Sequence, residues 1–137
     1  MSERKCVIVV DPALPPGVMA NSAAVVAASL GRLCPEIIGE DLPDHHGRMH
    51  AGITTLALPV LGATAERLKA LREQLRAFEP GLAVVDLISA TRTTRSYAEY
   101  AQALARGPDG AIRYQALGLL GERKLVTRLT GSLGLLR

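Results

Sequence analysis

Short apolar runs and longer helix-like segments alternate along this chain, which predicts an α/β fold. Apolar runs over residues 5–10, 53–60, 82–88 and 112–120 are typical of strands. The first run is apolar at almost every position, as expected of a strand buried on both faces of a sheet. Pro59 has no backbone N–H, so the second strand is expected at a sheet edge.

Helical periodicity separates these strands. The predicted helices span residues 20–32, 66–78, 97–106 and 122–130. Thr64 is a suitable N-cap for the second helix, and Ser96 with Glu99 forms a capping box for the third. Residues 35–49 show no period and predict a long loop, and Asp109-Gly110 predicts a turn.

Composition narrows the functional classes. The 137 residues suit one domain spanning 1–137, and 48% of them are hydrophobic, which is enough for a core. Aromatic residues make up only 3%, so a stacking platform for single-stranded nucleic acid is not expected. No apolar run reaches the length of a membrane span or of a signal peptide, so we expect a cytoplasmic protein without a membrane partner.

Charge is unevenly distributed along the chain. Residues 92–137 carry 8 basic and 3 acidic side chains, a balance of +5, whereas residues 1–91 carry 8 and 10. This basic third is either an RNA-contacting surface or an ordinary solvated helix surface, and DNA binding is not expected.

Cys6 and Cys34 form no Cys-x-x-Cys pair, so a thiolate metal site is unsupported. Cys6 is expected to be buried and Cys34 to be exposed.

Three segments together resemble type II peptidyl-tRNA hydrolases. They are Leu-Pro-Pro-Gly at 14–17, Ala-Thr-Arg-Thr at 90–93, and Leu-Val-Thr-Arg-Leu-Thr-Gly-Ser-Leu-Gly-Leu-Leu at 125–136. The whole chain resembles an uncharacterised bacterial branch of that superfamily still more closely. The resemblance implies a three-layer α/β/α sandwich with a four-stranded mixed sheet, an interior first strand and a homodimer.

The resemblance also implies a lysine in the first turn of helix one and an aspartate after the third strand. Here Ala20 and Ser89 stand at those positions, and only the threonine of the second motif is kept, as Thr93. Ester hydrolysis needs an activated water and stabilisation of the developing oxyanion. Ordinary peptidyl-tRNA hydrolysis is therefore not expected.

The candidate site lies in the crevice beyond the carboxyl ends of the first and third strands. The predicted ligand-binding residues there are Asp11, Asn21, Ser89 and Arg92, and Thr93 is grouped with the catalytic candidates. Alternatives stay open for each of them. Asn21 can simply cap helix one, Asp11 can end its strand by an Asx-turn, and the hydroxyl-rich loop around Thr93 can be plain solvated surface.

His50 is the predicted general base, oriented by Asp41. The alternative is a buried histidine that ties down its own loop. His45 and His46 lie close by in sequence, but no metal-ligand spacing or nucleotide-binding motif is present, so neither a metal nor a cofactor is expected. The sequence thus predicts a diverged enzyme, with hydrolase as the first reaction class to consider, or a binder of a small or anionic molecule. The alternative is a non-catalytic module that contacts RNA or protein.

Overall fold

Helices and strands alternate over residues 3–107 and 112–137, the parts of the chain that this computed structural model describes. The strands are β1 (Arg4–Val10), β2 (Leu42–Pro43), β3 (Met49–His50), β4 (Val60–Gly62), β5 (Ala83–Ile88) and β6 (Tyr114–Glu122). The α-helices are α1 (Pro16–Leu33), α2 (Ala65–Leu75), α3 (Tyr97–Arg106) and α4 (Arg123–Thr130). Short 3-10 turns lie at Pro35–Ile37, Arg76–Phe78 and Ser89–Arg92. The turn predicted at Asp109-Gly110 lies outside the described residues.

Four of the strands form one mixed sheet in the order β4-β1-β6-β5. β1 runs parallel to β4 and antiparallel to β6, and β5 is antiparallel to β6. The predicted mixed sheet with an interior first strand is confirmed. The C-terminal segment continues along the outer edge of β4, where Leu136 N donates to Val60 O at 2.9 Å, and it covers that edge.

Alternating side chains of β1 enter two separate apolar clusters. Val7 and Val9 pack with residues of α2 and α4, whereas Ile8 and Val10 pack with residues of α1. Helices therefore cover both faces of the sheet, as a strand that is apolar at every position requires. Among the described residues, no helix combines the length and apolarity needed to cross a membrane.

The helix-start signals in the sequence agree with the structure for α2 and α3. The Thr64 hydroxyl accepts a hydrogen bond from Arg67 N at the start of α2, and the Ser96 hydroxyl accepts one from Glu99 N at the start of α3. α1 begins at Pro16 rather than at the predicted Ala20. Proline is favourable in the first helical turn because its missing N–H is not needed there.

The predicted strand over residues 53–60 is wrong except at its end, since only Val60–Gly62 pairs with β1. The preceding residues bond elsewhere: Thr55 N donates to Ile37 O at 2.7 Å, and Ile53 O accepts from Gly39 N at 2.8 Å. These bonds tie residues 53–55 to the segment after α1. The edge position of the strand is confirmed. Cys34, expected to be exposed, is only 6% exposed.

Candidate functional site

The carboxyl ends of β1 and β5 meet the start of β6 at one end of the sheet. Asp11 follows β1, and its backbone N–H donates to Gln115 O at 3.1 Å. Ser89 follows β5, and its N–H donates to Arg113 O at 2.8 Å. The sequence-predicted location is therefore a real convergence of three chain segments, with β6 between the other two.

A cavity of about 580 Å³ opens at this end of the sheet. It is lined by Ile88, Ser89, Ala90, Arg92, Thr93, Ala103, Gly107, Ile112 and Arg113. Ser89, Arg92 and Thr93, which the sequence places together after the third strand, share this cavity. Arg113 was missed, because in the sequence it is only one of several arginines in the basic third of the chain.

Asp11 does not line this cavity, but its carboxylate faces Arg113, which does. The side chain of Asp11 is 5% exposed, and its Oδ2 lies 4.0 Å from Nη2 of Arg113, whose side chain is 61% exposed. Asp11 Oδ1 accepts from Ala13 N at 2.9 Å, which is the Asx-turn anticipated as the alternative for this residue. Arg92 is exposed and has no carboxylate partner among the described residues. Among the described residues, the guanidinium charge at the cavity thus exceeds the carboxylate charge that faces it.

The cavity hydroxyls differ in what they can offer a ligand. The Thr93 hydroxyl donates to Ala90 O at 3.2 Å, so its proton is engaged while its oxygen can still accept. Within the described part of the chain, the Ser89 hydroxyl has no hydrogen-bond partner and can donate to a bound oxygen. Neither hydroxyl is paired with a base.

A β-bulge in β6 lies next to the site, opposite the end of β5. Leu87 pairs with Ala116 and Ile88 with Tyr114, so Gln115 is an extra residue on β6. Its buried side chain reaches α1, where Nε2 donates to the Ser22 hydroxyl at 2.8 Å. Bulges bend a strand and redirect its side chains, and this one lies immediately after Arg113 and Tyr114. No periodicity in the sequence signals it.

Asn21 lies on α1, outside the cavity. It is an exposed residue within the helix and is not among the residues that line the cavity. The N-cap position is Pro15, and no side chain caps this helix. Asn21 is therefore not the cap either.

Asp41 and His50 belong to the β2–β3 hairpin rather than to the cavity. His50 Nε2 lies 2.8 Å from Asp44 Oδ2, and the histidine side chain is 65% exposed. Asp41 Oδ1 instead accepts from Gly52 N at 2.9 Å. The hydrogen bond expected between Asp41 and His50 is not formed. Within residues 3–107 and 112–137, no three His, Cys, Asp or Glu side chains are grouped to hold a metal ion.

Gly52 explains why Asp44 rather than Asp41 partners the histidine. A Cβ built on Gly52 would lie 1.8 Å from Gly39 O, so the two backbones approach each other directly. This close approach places the Gly52 N–H against Asp41, where it donates to Oδ1 of the carboxylate. Asp44 lies across the hairpin turn and remains within reach of His50.

Removal of the His50 imidazole is expected to raise the pKa of Asp44 toward its ordinary value. The hydrogen bond from His50 is the main cause that lowers the pKa of Asp44, with smaller help from the Arg48 and His46 N–H groups. A carboxyl whose pKa is lowered by folding stabilises the hairpin above its unfolded pKa, and this stabilisation is lost as pH falls through the folded pKa. NMR titration of the Asp44 carboxyl carbon in His50→Ala measures the shift.

His45→Ala is the matched control for that titration. The His45 ring contacts the His46 ring, with centroids 3.9 Å apart. Its loss should leave the Asp44 titration unchanged. If the pKa of Asp44 is the same in the wild type and in His50→Ala, the hydrogen bond from His50 is not the cause of the lowered pKa.

Fold and site together define a small mixed α/β domain with a ligand-sized cavity at one end of its sheet. The chain belongs to the family described as "Protein of unknown function (DUF2000)", whose model matches residues 4–137. The predicted membership of an uncharacterised family is confirmed, and the relation to type II peptidyl-tRNA hydrolases stays a prediction.

One solved structure is similar to this chain over almost its full length. It is a protein of unknown function from Agrobacterium tumefaciens, with a TM-score of 0.89 and 18% sequence identity over 98% of each chain. At this identity the likeness shows the fold alone. The search of curated proteins found no match.

Proposed function

We propose that the cavity between β5, α3 and the start of β6 binds a small molecule through an anionic group. The observation that carries this proposal is the presence of Arg92 and Arg113 in one cavity with the Ser89 and Thr93 hydroxyls. A guanidinium donates two parallel hydrogen bonds to a carboxylate or phosphate, and hydroxyls complete such a site. Asp11 faces only one of the two cations, so the described part of the site keeps an unmatched positive charge.

The chain is further proposed to be a diverged protein with a type II peptidyl-tRNA hydrolase-like sandwich. The mixed sheet covered by helices on both faces supports this. Ala20 is an exposed alanine on α1, and Ser89 starts the 3-10 turn after β5, so neither position supplies the charge that the resemblance implies. Peptidyl-tRNA hydrolysis is therefore the least favoured activity.

Catalysis would need a proton acceptor at the cavity. Asp11, which lies beside the cavity rather than in its lining, is our candidate, because its Oδ2 faces Arg113 and makes no hydrogen bond to any described residue. A hydrolase would use this carboxylate to activate water and Arg92 to stabilise a developing oxyanion. Binding of a ligand without turnover uses the same residues.

Arg92→Ala and Arg113→Ala are each expected to weaken binding of an anion by roughly tenfold or more, because a hydrogen bond to a charged group contributes about 1.5–3 kcal/mol. Titration calorimetry with inorganic phosphate and with citrate measures the dissociation constants. Mass spectrometry of molecules that co-purify with the wild-type chain identifies natural candidates.

Arg95→Ala is the control, since Arg95 is an exposed arginine of the same loop that does not line the cavity. It should bind the same anions as tightly as the wild type. Equal losses in all three variants would indicate a diffuse charge effect, and no binding of any anion would refute the proposal.

A second candidate is contact with RNA through the surface of α2 and α4. Lys124 and Arg128 are exposed on α4, and Arg67 of α2 reaches the end of α4 by donating to the Ser132 hydroxyl at 3.0 Å.

A homodimer is also proposed from the resemblance. The 39% exposed Val25 on α1 leaves apolar surface for a partner helix.

A further inference from the structure

The cavity walls are mostly apolar, and its cations lie on the loop after β5 and at the start of β6. The apolar lining is contributed by Ile88, Ala90, Ala103 and Ile112. Ile88 is 4% exposed and belongs to the core cluster on the α2 and α4 face, against which Ala90 and Ile112 also pack. The site therefore joins a charged part to a wall that is continuous with the hydrophobic core.

α3 supplies the opposite wall and is held in place by Tyr100. The Tyr100 hydroxyl accepts a hydrogen bond from Ile88 N at 2.9 Å, at the end of β5. Its ring packs against both core clusters. Ala103 lies about one turn further along α3, so the helix presents a methyl group to the cavity where a larger residue would fill it.

An inorganic ion would use little of this space. A water molecule takes a share of about 30 Å³ in the liquid, so a phosphate-sized ion needs on the order of 100 Å³. The cavity, which is broadly open to solvent, measures about 580 Å³, and this volume lies within the range of pockets that bind organic ligands. No aromatic ring is among its described lining residues, so a stacked base is not favoured.

We infer that the ligand is an amphiphilic anion, in which a carboxylate or phosphate group is attached to an aliphatic body of several carbons. This inference rests on the proposed function, because it takes Arg92 and Arg113 as the anion-binding groups. The aliphatic body lies against Ala103 and the isoleucines, where it leaves water as hydrocarbon does on burial.

A series of straight-chain carboxylates from acetate to octanoate tests this inference on the full chain. The dissociation constant measured by calorimetry should fall about fourfold for each added methylene until the wall is covered. Butyl phosphate compared with pentanoate, which carries the same alkyl chain on a carboxylate, distinguishes the two anionic groups. Hexanol, which has the same body without the charge, should bind at least tenfold more weakly than hexanoate.

Ala103→Leu is expected to abolish the gain with chain length, so that hexanoate binds roughly tenfold more weakly while acetate binds as in the wild type. Ala101→Leu is the matched control, because Ala101 is exposed on the same helix and does not line the cavity. Circular dichroism and thermal unfolding of both variants show whether α3 is kept. If Ala103→Leu does not fold, the carboxylate series on the wild type still tests whether affinity increases with chain length.

The outcomes separate the two proposals. Binding of acetate and phosphate with no dependence on chain length would overturn the amphiphilic ligand and leave the anion site standing. Equal binding of hexanol and hexanoate would overturn it as well. If neither the carboxylates nor the two phosphates, inorganic phosphate and butyl phosphate, bind, both proposals fail.

Discussion

Gly118→Val is expected to lower the free energy of unfolding by about 3 kcal/mol, the upper range for overpacking a core. Gly118 lies on β6 directly beneath α1. A Cβ at this position would be 2.4 Å from Val26 Cγ1 and 2.8 Å from Leu30 Cδ1. Both helix residues are almost fully buried, at 0% and 1% exposure, so neither can move aside without displacing α1.

Gly31→Ala is the control for this substitution. It lies on α1 itself, and a Cβ there meets nothing within 4 Å. Alanine should therefore raise the free energy of unfolding by about 0.5–1 kcal/mol, because glycine loses more backbone entropy in a helix. Urea unfolding followed by circular dichroism compares the two variants. A Gly118→Val midpoint at or above that of the wild type would mean that α1 does not pack this closely on the sheet.

Arg72→Ala is expected to cost about 3 kcal/mol, the low end of the range for removing one partner of a buried ion pair. The Arg72 side chain is 8% exposed. Its Nε donates to Asp86 Oδ2 at 2.7 Å and its Nη1 to Glu79 Oε1 at 2.5 Å, which joins α2 to β5 and to the loop before it. The two carboxylates are 25% and 32% exposed, so water reaches them in part and the cost stays at the low end.

Arg76→Ala is the matched control, since Arg76 pairs with Glu73 at 3.1 Å and both side chains are at least half exposed. Arg76 also makes one long hydrogen bond, of 3.5 Å, to the Tyr114 hydroxyl. Exposed pairs of this kind contribute about 0–1 kcal/mol. Denaturant unfolding of both variants under identical conditions measures the difference. If Arg72→Ala and Arg76→Ala lose the same stability, the Arg72 network does not hold α2 to the sheet.

The fold class was predictable because it depends on local patterns. The continuous apolar run of β1 indicated an interior strand, and the hydroxyls of Thr64 and Ser96 marked helix starts that the structure confirms. That Ser89, Arg92 and Thr93 lie near one another was predictable for the same reason. Ser89, Arg92 and Thr93 are close in sequence and follow one strand, so they share a cavity wherever that strand ends.

Tertiary structure alone decided which distant residues meet. Arg113 joins the cavity because β6 is inserted between β1 and β5, and the bulge at Gln115 depends on the pairing of β5 with β6. His50 pairs with Asp44 rather than Asp41 because Gly52 and Gly39 bring two backbone segments together. Periodicity and capping act over a few residues and are visible in the sequence, whereas strand order, bulges and close backbone approaches are set by packing between segments far apart in the chain.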